Sequence, residues 1–465
     1  MSVDPPAAPF RSGARRLVGR MRRWSPEWRD CFLYTASAVF ALGTIVGDGI
    51  PLYRQWGELA LGPYAAAAAF MALVARRATL ARRTSPVPGG DDGSPPDALG
   101  GRPLPGAVRY RWARIAACAV VLVGATVVPL ALEVVWASEG NAAAHVQPEV
   151  LVVERAGARA DAGKDPYQVV DRNGHILIHQ RSLPVYELYY PYLPGMVLFG
   201  FSSGSRVEAR LTDARIQFLL FTAAVTVLAL SRLRPPTDAR FRALQVLTLL
   251  PTAALPLATG GDDMPVVALM LAGMVAIQRR RPLVAGLALG AASSLKFTAW
   301  PLAVLAAWAA FDRETRRSIG RYALGLVLVV GPVVVPVAVR NPSAFIDNVI
   351  KFPLGLAGVA SPAASPLPGH FFVDAFPALH RPYVLVVAAV GLAVLVRQLI
   401  IHPPGDAAAV ARLAGWVMLV AVVLAPATRV GYLLYPVNLF VWSWMLARAD
   451  DPVATESRRR KLVPA

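Results

Sequence analysis

The densest run of residues able to move protons or hold phosphate lies in about residues 137–190, between two apolar stretches. It reads Pro148-Glu149-Val150-Leu151-Val152-Val153-Glu154-Arg155, then Gly163-Lys164-Asp165-Pro166-Tyr167, then Tyr189-Tyr190-Pro191-Tyr192-Leu193-Pro194-Gly195. A carboxylate just past the end of a membrane helix can take a proton from a hydroxyl, and a neighbouring cation can steady a departing phosphate. Glu149 is therefore the first candidate for a catalytic base. Glu154 is its rival, although Arg155 and Arg159 offer it plain ion pairs. Asp48, between Gly47 and Gly49 at the end of the first apolar run, is a second acidic candidate because an ionisable group at membrane depth is costly. Asp262 and Asp263, in Thr259-Gly260-Gly261-Asp262-Asp263-Met264, form a tight turn; either they face the site or they cap the next helix.

Four cations are candidates to hold a phosphate. Lys296 is flanked by Leu295 and Phe297, where it must pair or snorkel. Arg429, Arg340 and Lys351 fall in loops expected on the outer side, against the usual placement of positive charge. Tyr167, Tyr190 and Tyr192 can stack on sugar rings or prenyl units, or form an interfacial belt, and Asp165-Pro166-Tyr167 also reads as a structural turn. His145, His175, His179, His370 and His380 show no metal-ligand spacing on a helix, so neither a metal nor a cofactor is expected. No phosphate-cradling glycine loop or nucleotide fingerprint occurs, which suits a lipid-linked donor better than a nucleotide sugar.

The elements that must position these residues are written in the composition. Of 465 residues 55% are hydrophobic and only 16% charged, a balance that a soluble domain rarely shows. Apolar runs recur at about 31–50, 58–75, 115–136, 214–230, 243–259, 264–278, 282–296, 298–311, 320–340, 382–400, 408–425 and 431–447. The reading is an all-α polytopic membrane protein of about twelve crossings. The net charge of +18 sits in arginine clusters between those runs and at the ends, which fits anionic headgroups and excludes a nucleic-acid face. One orientation satisfies every cluster, with both termini cytoplasmic.

The expected plan is then a basic cytoplasmic N-terminus at 1–30, a transmembrane domain at 31–447 and a cytoplasmic tail at 448–465. Within it lie a Pro/Gly/Ser/Asp-rich cytoplasmic linker at 84–108 and long outer loops at 137–190 and 341–381. Tyr192–Ser203 is too short to cross and should be a re-entrant or interfacial helix on the outer side, and the short segments flanking Lys296 should form a hairpin that does not fully cross. Cys31 and Cys118 both fall in apolar runs and read as small core residues.

The loop pattern resembles the polyprenyl-phosphate-sugar-dependent glycosyltransferases of the GT-C fold, in particular glycosyltransferase family 87. That family shows an acidic residue, a short helix, Gly-x-Asp-Pro-Tyr and then an aromatic-proline segment returning to the membrane. Glu149, Gly163–Tyr167 and Tyr190–Pro194 fall at those places, and Gly286, Gly290, Lys296 and Pro301 resemble its glycine-rich helix ending in a lysine. The resemblance covers roughly 140–310. Glu149 stands where the family usually has Asp, and two apolar runs precede the helix entering the loop where the family usually has one. The resemblance implies a GT-C-like bundle with short helices in its outer loop, and inverting transfer of a sugar, mannose by analogy, from a polyprenyl-phosphate donor. The acceptor would be a lipid or glycan of the cell envelope on the outer face. A transporter or flippase for a lipid-linked sugar is the competing class; it would be expected to show internal repeats, and none is visible.

Overall fold

The computed structural model describes residues 24–47, 49–84, 105–167, 183–201, 211–233, 237–309, 316–359 and 361–449. Asp48, His175, His179, most of the linker and both termini lie outside them. Helices are the dominant regular elements among the described residues, the single β feature being an isolated bridge between Ala364 and Thr428. The chain is an all-α polytopic membrane protein.

Eight described helices are long and apolar enough to cross a membrane: Pro26–Gly47, Pro51–Ala81, Tyr110–Gly140, Ala214–Ser231, Asp238–Thr259, Ser318–Arg340, Pro377–Ile401 and Ala407–Leu424. The four remaining apolar runs fold as the shorter helices Asp263–Gln278, Pro282–Leu295, Phe297–Ala309 and Val430–Leu446. At 1.5 Å per residue such helices reach about 15–25 Å, short of the roughly 30 Å of hydrocarbon. Of the about twelve expected crossings, eight coincide with helices long and apolar enough to span, and the other four apolar runs form shorter helices. The second helix also runs further than its apolar stretch, carrying Arg76 and Arg77 within it.

The chain divides into two compact units, Met1–Pro129 and Leu130–Ala465. In the first, Asp30 and Arg114 form a buried ion pair at 2.5 Å between the helices Pro26–Gly47 and Pro105–Leu122. The Trp56 indole donates to the Ala125 carbonyl at 2.8 Å. Cys31 and Cys118 are free thiols, Cys118 being buried beside the Tyr34 hydroxyl.

In the second unit, Asp263–Gln278 is the central helix, buried on nearly every face. The helix Pro282–Leu295 packs so closely on Arg316–Arg340 that glycine is required on both sides. A Cβ on Gly286 would stand 2.1 Å from the Tyr322 carbonyl oxygen, and one on Gly325 2.4 Å from that of Leu283. Spaced small residues of this kind let backbones meet where lipid offers no hydrophobic drive between helices.

The first long loop folds down onto this frame. Its helix, Pro148–Asp161, starts with Pro at the first position, whose fixed φ suits a helix start, and buries Val150, Val153, Ala156 and Gly157. Gly157 meets Gly200 backbone to backbone, where an added Cβ would lie 2.1 Å from the Gly200 carbonyl. The segment expected to be re-entrant or interfacial contains a largely buried 3-10 helix, Pro194–Phe199. Tyr189 stacks on Phe352, and the Tyr190 N–H donates to Asn348 at 2.7 Å, so the two long loops brace each other.

Gly157→Ala should lose at least about 1–3 kcal/mol through overpacking. Gly391→Ala, at a mid-helix glycine with open space around it, should be neutral or stabilising. Thermal unfolding of the two solubilised variants checks the contrast.

Candidate active site

Glu149 sits in the first turn of Pro148–Asp161, where a helix N-terminus favours negative charge. The position is fixed from outside: the Gln147 side chain donates to Thr259 Oγ1 at 2.8 Å, pinning the helix start to the end of Pro251–Thr259. Gly260, with φ +119°, lies so near Val150 that a side chain there would collide with it. One oxygen of Glu149 accepts from the Arg429 guanidinium, and the other, Oε2, is buried without a hydrogen-bond partner among the described residues.

A second charged group lies beside it. Lys296 is the residue at which the helix Pro282–Leu295 breaks into extended backbone (φ −153°, ψ 145°) before the 3-10 turn Phe297–Ala299. Its ammonium donates to Asp262 at 3.0 Å and Asp263 at 2.5 Å. Asp263 also accepts from the Tyr435 hydroxyl at 2.6 Å, which in turn accepts from Thr298 at 2.6 Å. The rings of Tyr192 and Tyr432 flank the ammonium, with centroids at 5.3 and 5.6 Å. Burial pushes Asp262 up to about 6 against the pull of Lys296, and the charges of Asp263 and Glu149 add to the rise. Burial works against the charge on Lys296, but Asp262 and Asp263 outweigh it and hold its pKa above the ordinary lysine range. Glu149 is close enough to act electrostatically on both Asp262 and Tyr192, so the two groups share one locality.

Of the residues expected from sequence, the structure brings together Glu149, Asp262, Asp263, Lys296, Arg429 and Tyr192. Tyr190 packs edge-on against Tyr192 with its hydroxyl buried and without a partner among the described residues. Tyr167 is fully buried and donates its hydroxyl to the Tyr192 carbonyl at 2.8 Å, so it supports the aromatic segment from behind. The Asp165-Pro166-Tyr167 turn is closed by the Tyr167 N–H on the Asp165 carboxylate at 2.9 Å.

Other candidates stand elsewhere. Glu154 pairs with neither Arg155 nor Arg159; it accepts from the Ala214 N–H at 3.2 Å, at the start of the helix Ala214–Ser231. Burial, aided by the charge of Asp213, raises its pKa. Arg155 turns to Glu187 at 3.3 Å, and Arg159 to the Asp165 carbonyl at 2.8 Å. Lys351 pairs with Asp347 one turn away at 2.5 Å. Arg340 lines a groove of about 440 Å³ together with Lys164, Pro166, Pro194, Gly195 and Val337. His370 and His380 bond backbone carbonyls at 2.9 Å, and no metal-binding group of three or more His, Cys, Asp or Glu occurs among the described residues.

Sequence reasoning overlooked Tyr432 and Tyr435, although their i, i+3 spacing just after Arg429 places both on one helix face. It also overlooked Glu133, a carboxylate inside an apolar run and thus a signal in its own right. Glu133 is fully buried and bonded to His145 Nδ1 at 2.9 Å, with the Arg215 guanidinium on the His145 carbonyl.

Residues 206–426 match the family model of glycosyltransferase family 87. That match agrees with the family resemblance read from the sequence, over residues 206–426. No curated protein matches the chain. The match starts after the loop that carries Glu149 and extends well past 310. It takes in Asp262, Asp263, Lys296, Arg340 and Lys351, and stops three residues before Arg429. The family match and the eight apolar spans together support a membrane glycosyltransferase.

Lys296→Met should destabilise the fold by about 3–5 kcal/mol, because it strands two buried carboxylates. Adding Asp262→Asn and Asp263→Asn to it should restore most of that loss. Unfolding midpoints of the single and triple variants read the difference.

Proposed function

We propose that the protein transfers a sugar, mannose by family resemblance, from a polyprenyl-phosphate donor to a lipid or glycan acceptor of the cell envelope, on the outer face of the cell membrane. The observation that carries this reading is the state of Glu149: one oxygen is held by Arg429, and the other is buried without a hydrogen-bond partner among the described residues. A carboxylate so held is oriented by its ion pair and keeps a lone pair for an incoming hydroxyl.

In the proposed step the acceptor hydroxyl gives its proton to Glu149 Oε2 while its oxygen attacks the anomeric carbon. The bond from that carbon to the phosphate oxygen breaks on the opposite side, and the electron pair leaves with the polyprenyl phosphate. The configuration inverts. Arg429 and Lys296 are the cations placed to stabilise the charge on the departing phosphate. Tyr192 and Tyr432 offer flat faces for a sugar ring, and Asp262 and Asp263 keep Lys296 charged and fixed.

The groove beside Arg340 supports a lipid-linked substrate. It is mainly apolar, with Lys164 and Arg340 among its polar residues. It also adjoins the reacting locality, since the Leu193 N–H, one residue before Pro194, donates to the carbonyl of Leu295, one residue before Lys296.

Glu149→Gln keeps the shape and an oxygen for Arg429 but cannot take the proton. Transfer of radiolabel from polyprenyl-phosphate mannose in membranes should fall by about a hundredfold or more, with the donor KM changed little. Transfer at the wild-type rate would remove Glu149 as the base.

A further inference from the structure

Several buried phenols in this chain spend their hydroxyls on a protein partner. Tyr167 donates to the Tyr192 carbonyl at 2.8 Å, Tyr322 to that of Ala303 at 2.5 Å, and Tyr435 to Asp263 at 2.6 Å. Tyr190 and Tyr192 do not. They are only 2% and 3% exposed, yet neither hydroxyl has a hydrogen-bond partner among the described residues. A buried polar group left unpaired is costly, so each such group in a native fold calls for a reason.

The two rings are firmly held beside the site. The Tyr190 N–H donates to Asn348 Oδ1 at 2.7 Å, and Asn348, itself fully buried, donates to the Ala344 carbonyl at 2.8 Å. Pro191, with its fixed φ, separates the pair. The Tyr190 ring packs against Tyr167 at 5.6 Å and edge-on against Tyr192 at 5.3 Å. Tyr192 in turn flanks the Lys296 ammonium at 5.3 Å. Asp262 is close enough to act electrostatically on both phenols, and Glu149 on that of Tyr192. Burial, with Tyr167 and Asp262 adding to it, pushes the Tyr190 pKa well above the ordinary tyrosine range. Burial, then Asp262 and Glu149, does the same for Tyr192, so both phenols keep their protons and can donate.

Glu149 Oε2 is a further unpaired atom of this locality. Two phenol donors and a carboxylate acceptor, all without partners, complement a ligand whose groups both donate and accept, which is what sugar hydroxyls do. Ring faces bind sugars of many kinds. Hydrogen bonds to hydroxyls separate one sugar from another, because a sugar lacking the matching hydroxyl leaves a buried polar atom unpaired.

We propose that Tyr190 and Tyr192 are specificity-determining residues, whose hydroxyls donate to hydroxyl oxygens of the sugar being transferred. The inference rests on the transfer reaction proposed above and names the groups that read its sugar. Both side chains are buried, so the bonds form as the sugar seats beside Lys296 and favour only a ring whose hydroxyls reach them.

The test titrates the full chain in detergent with polyprenyl phosphate, bare or carrying mannose, glucose or galactose, and reads affinity and the unfolding midpoint. Wild type should bind one sugar lipid more tightly than the other two and than the bare lipid. Tyr190→Phe and Tyr192→Phe keep the rings and their packing. Each should weaken binding of the preferred sugar lipid by about threefold to tenfold, leave bare polyprenyl phosphate unchanged and narrow the preference among sugars. Without added lipid, each variant should unfold at or above the wild-type temperature, because no protein hydrogen bond is lost. A lower midpoint would make the hydroxyls structural and overturn the proposal. Unchanged sugar-lipid binding in both variants would overturn it too, as would an equal loss for the bare lipid. Wild type that binds the bare lipid as tightly as every sugar lipid would sink the proposal and leave the donor class standing. Wild type that binds none of the four would remove the donor class, and the proposal with it.

Discussion

Lys296 is a charge placed where the surrounding helices are almost entirely apolar, and much of the site is arranged so that it can stay there. An isolated ammonium in such a setting is expensive, and pairing with carboxylates offsets the cost only when the geometry is good and the remaining polar groups are satisfied. Two aspartates, two tyrosine rings and the Tyr435–Thr298 hydroxyl pair meet that demand. They come from separate elements: the turn at Asp262, the break after Leu295, the loop at Tyr192 and the start of the last helix. Fixing the lysine therefore fixes where four parts of the chain converge.

The short helices follow from the same demand. A helix that must stop at a charged turn cannot also span the full hydrocarbon thickness, and Asp263–Gln278, Pro282–Leu295 and Trp300–Ala309 all end or begin at polar breaks. They are surrounded by full-length spans that shield the irregular backbone. The glycine contacts at Gly286, Gly325, Gly157 and Gly200 bring the shielding elements to backbone distance, which leaves little freedom for the loop helix that presents Glu149.

Much of this was legible from residue order. The twelve apolar runs each became a helix because hydrophobic length is a strong signal, and the Gly-Lys-Asp-Pro-Tyr turn formed where proline and aspartate dictate. Glu149, Lys296, Asp262 and Asp263 were each suspect for the reason that they are charged near apolar runs. Their partners were not legible. Arg429 is 280 residues from Glu149, and the Asp262–Lys296 pairing spans 34 residues, separations that local spacing does not encode. Eight of the twelve apolar runs form helices of full spanning length and four form shorter ones, a distinction that hydrophobic run length alone does not make. Glu154 misled for a related reason: its neighbours in sequence offered charge, whereas its partner is a backbone N–H at a distant helix start.

The central claim is that the carboxylate at position 149 does chemistry and is not only one half of an ion pair. The most direct measurement is sugar transfer by the charge-exchanged variant Glu149→Arg with Arg429→Glu, alongside its unfolding midpoint. The exchange keeps opposite charges facing each other while removing the carboxylate from the loop helix. The account predicts a midpoint close to wild type with transfer lost. A folded variant that transfers sugar at close to the wild-type rate would contradict it, and would reduce the pair to a structural clamp.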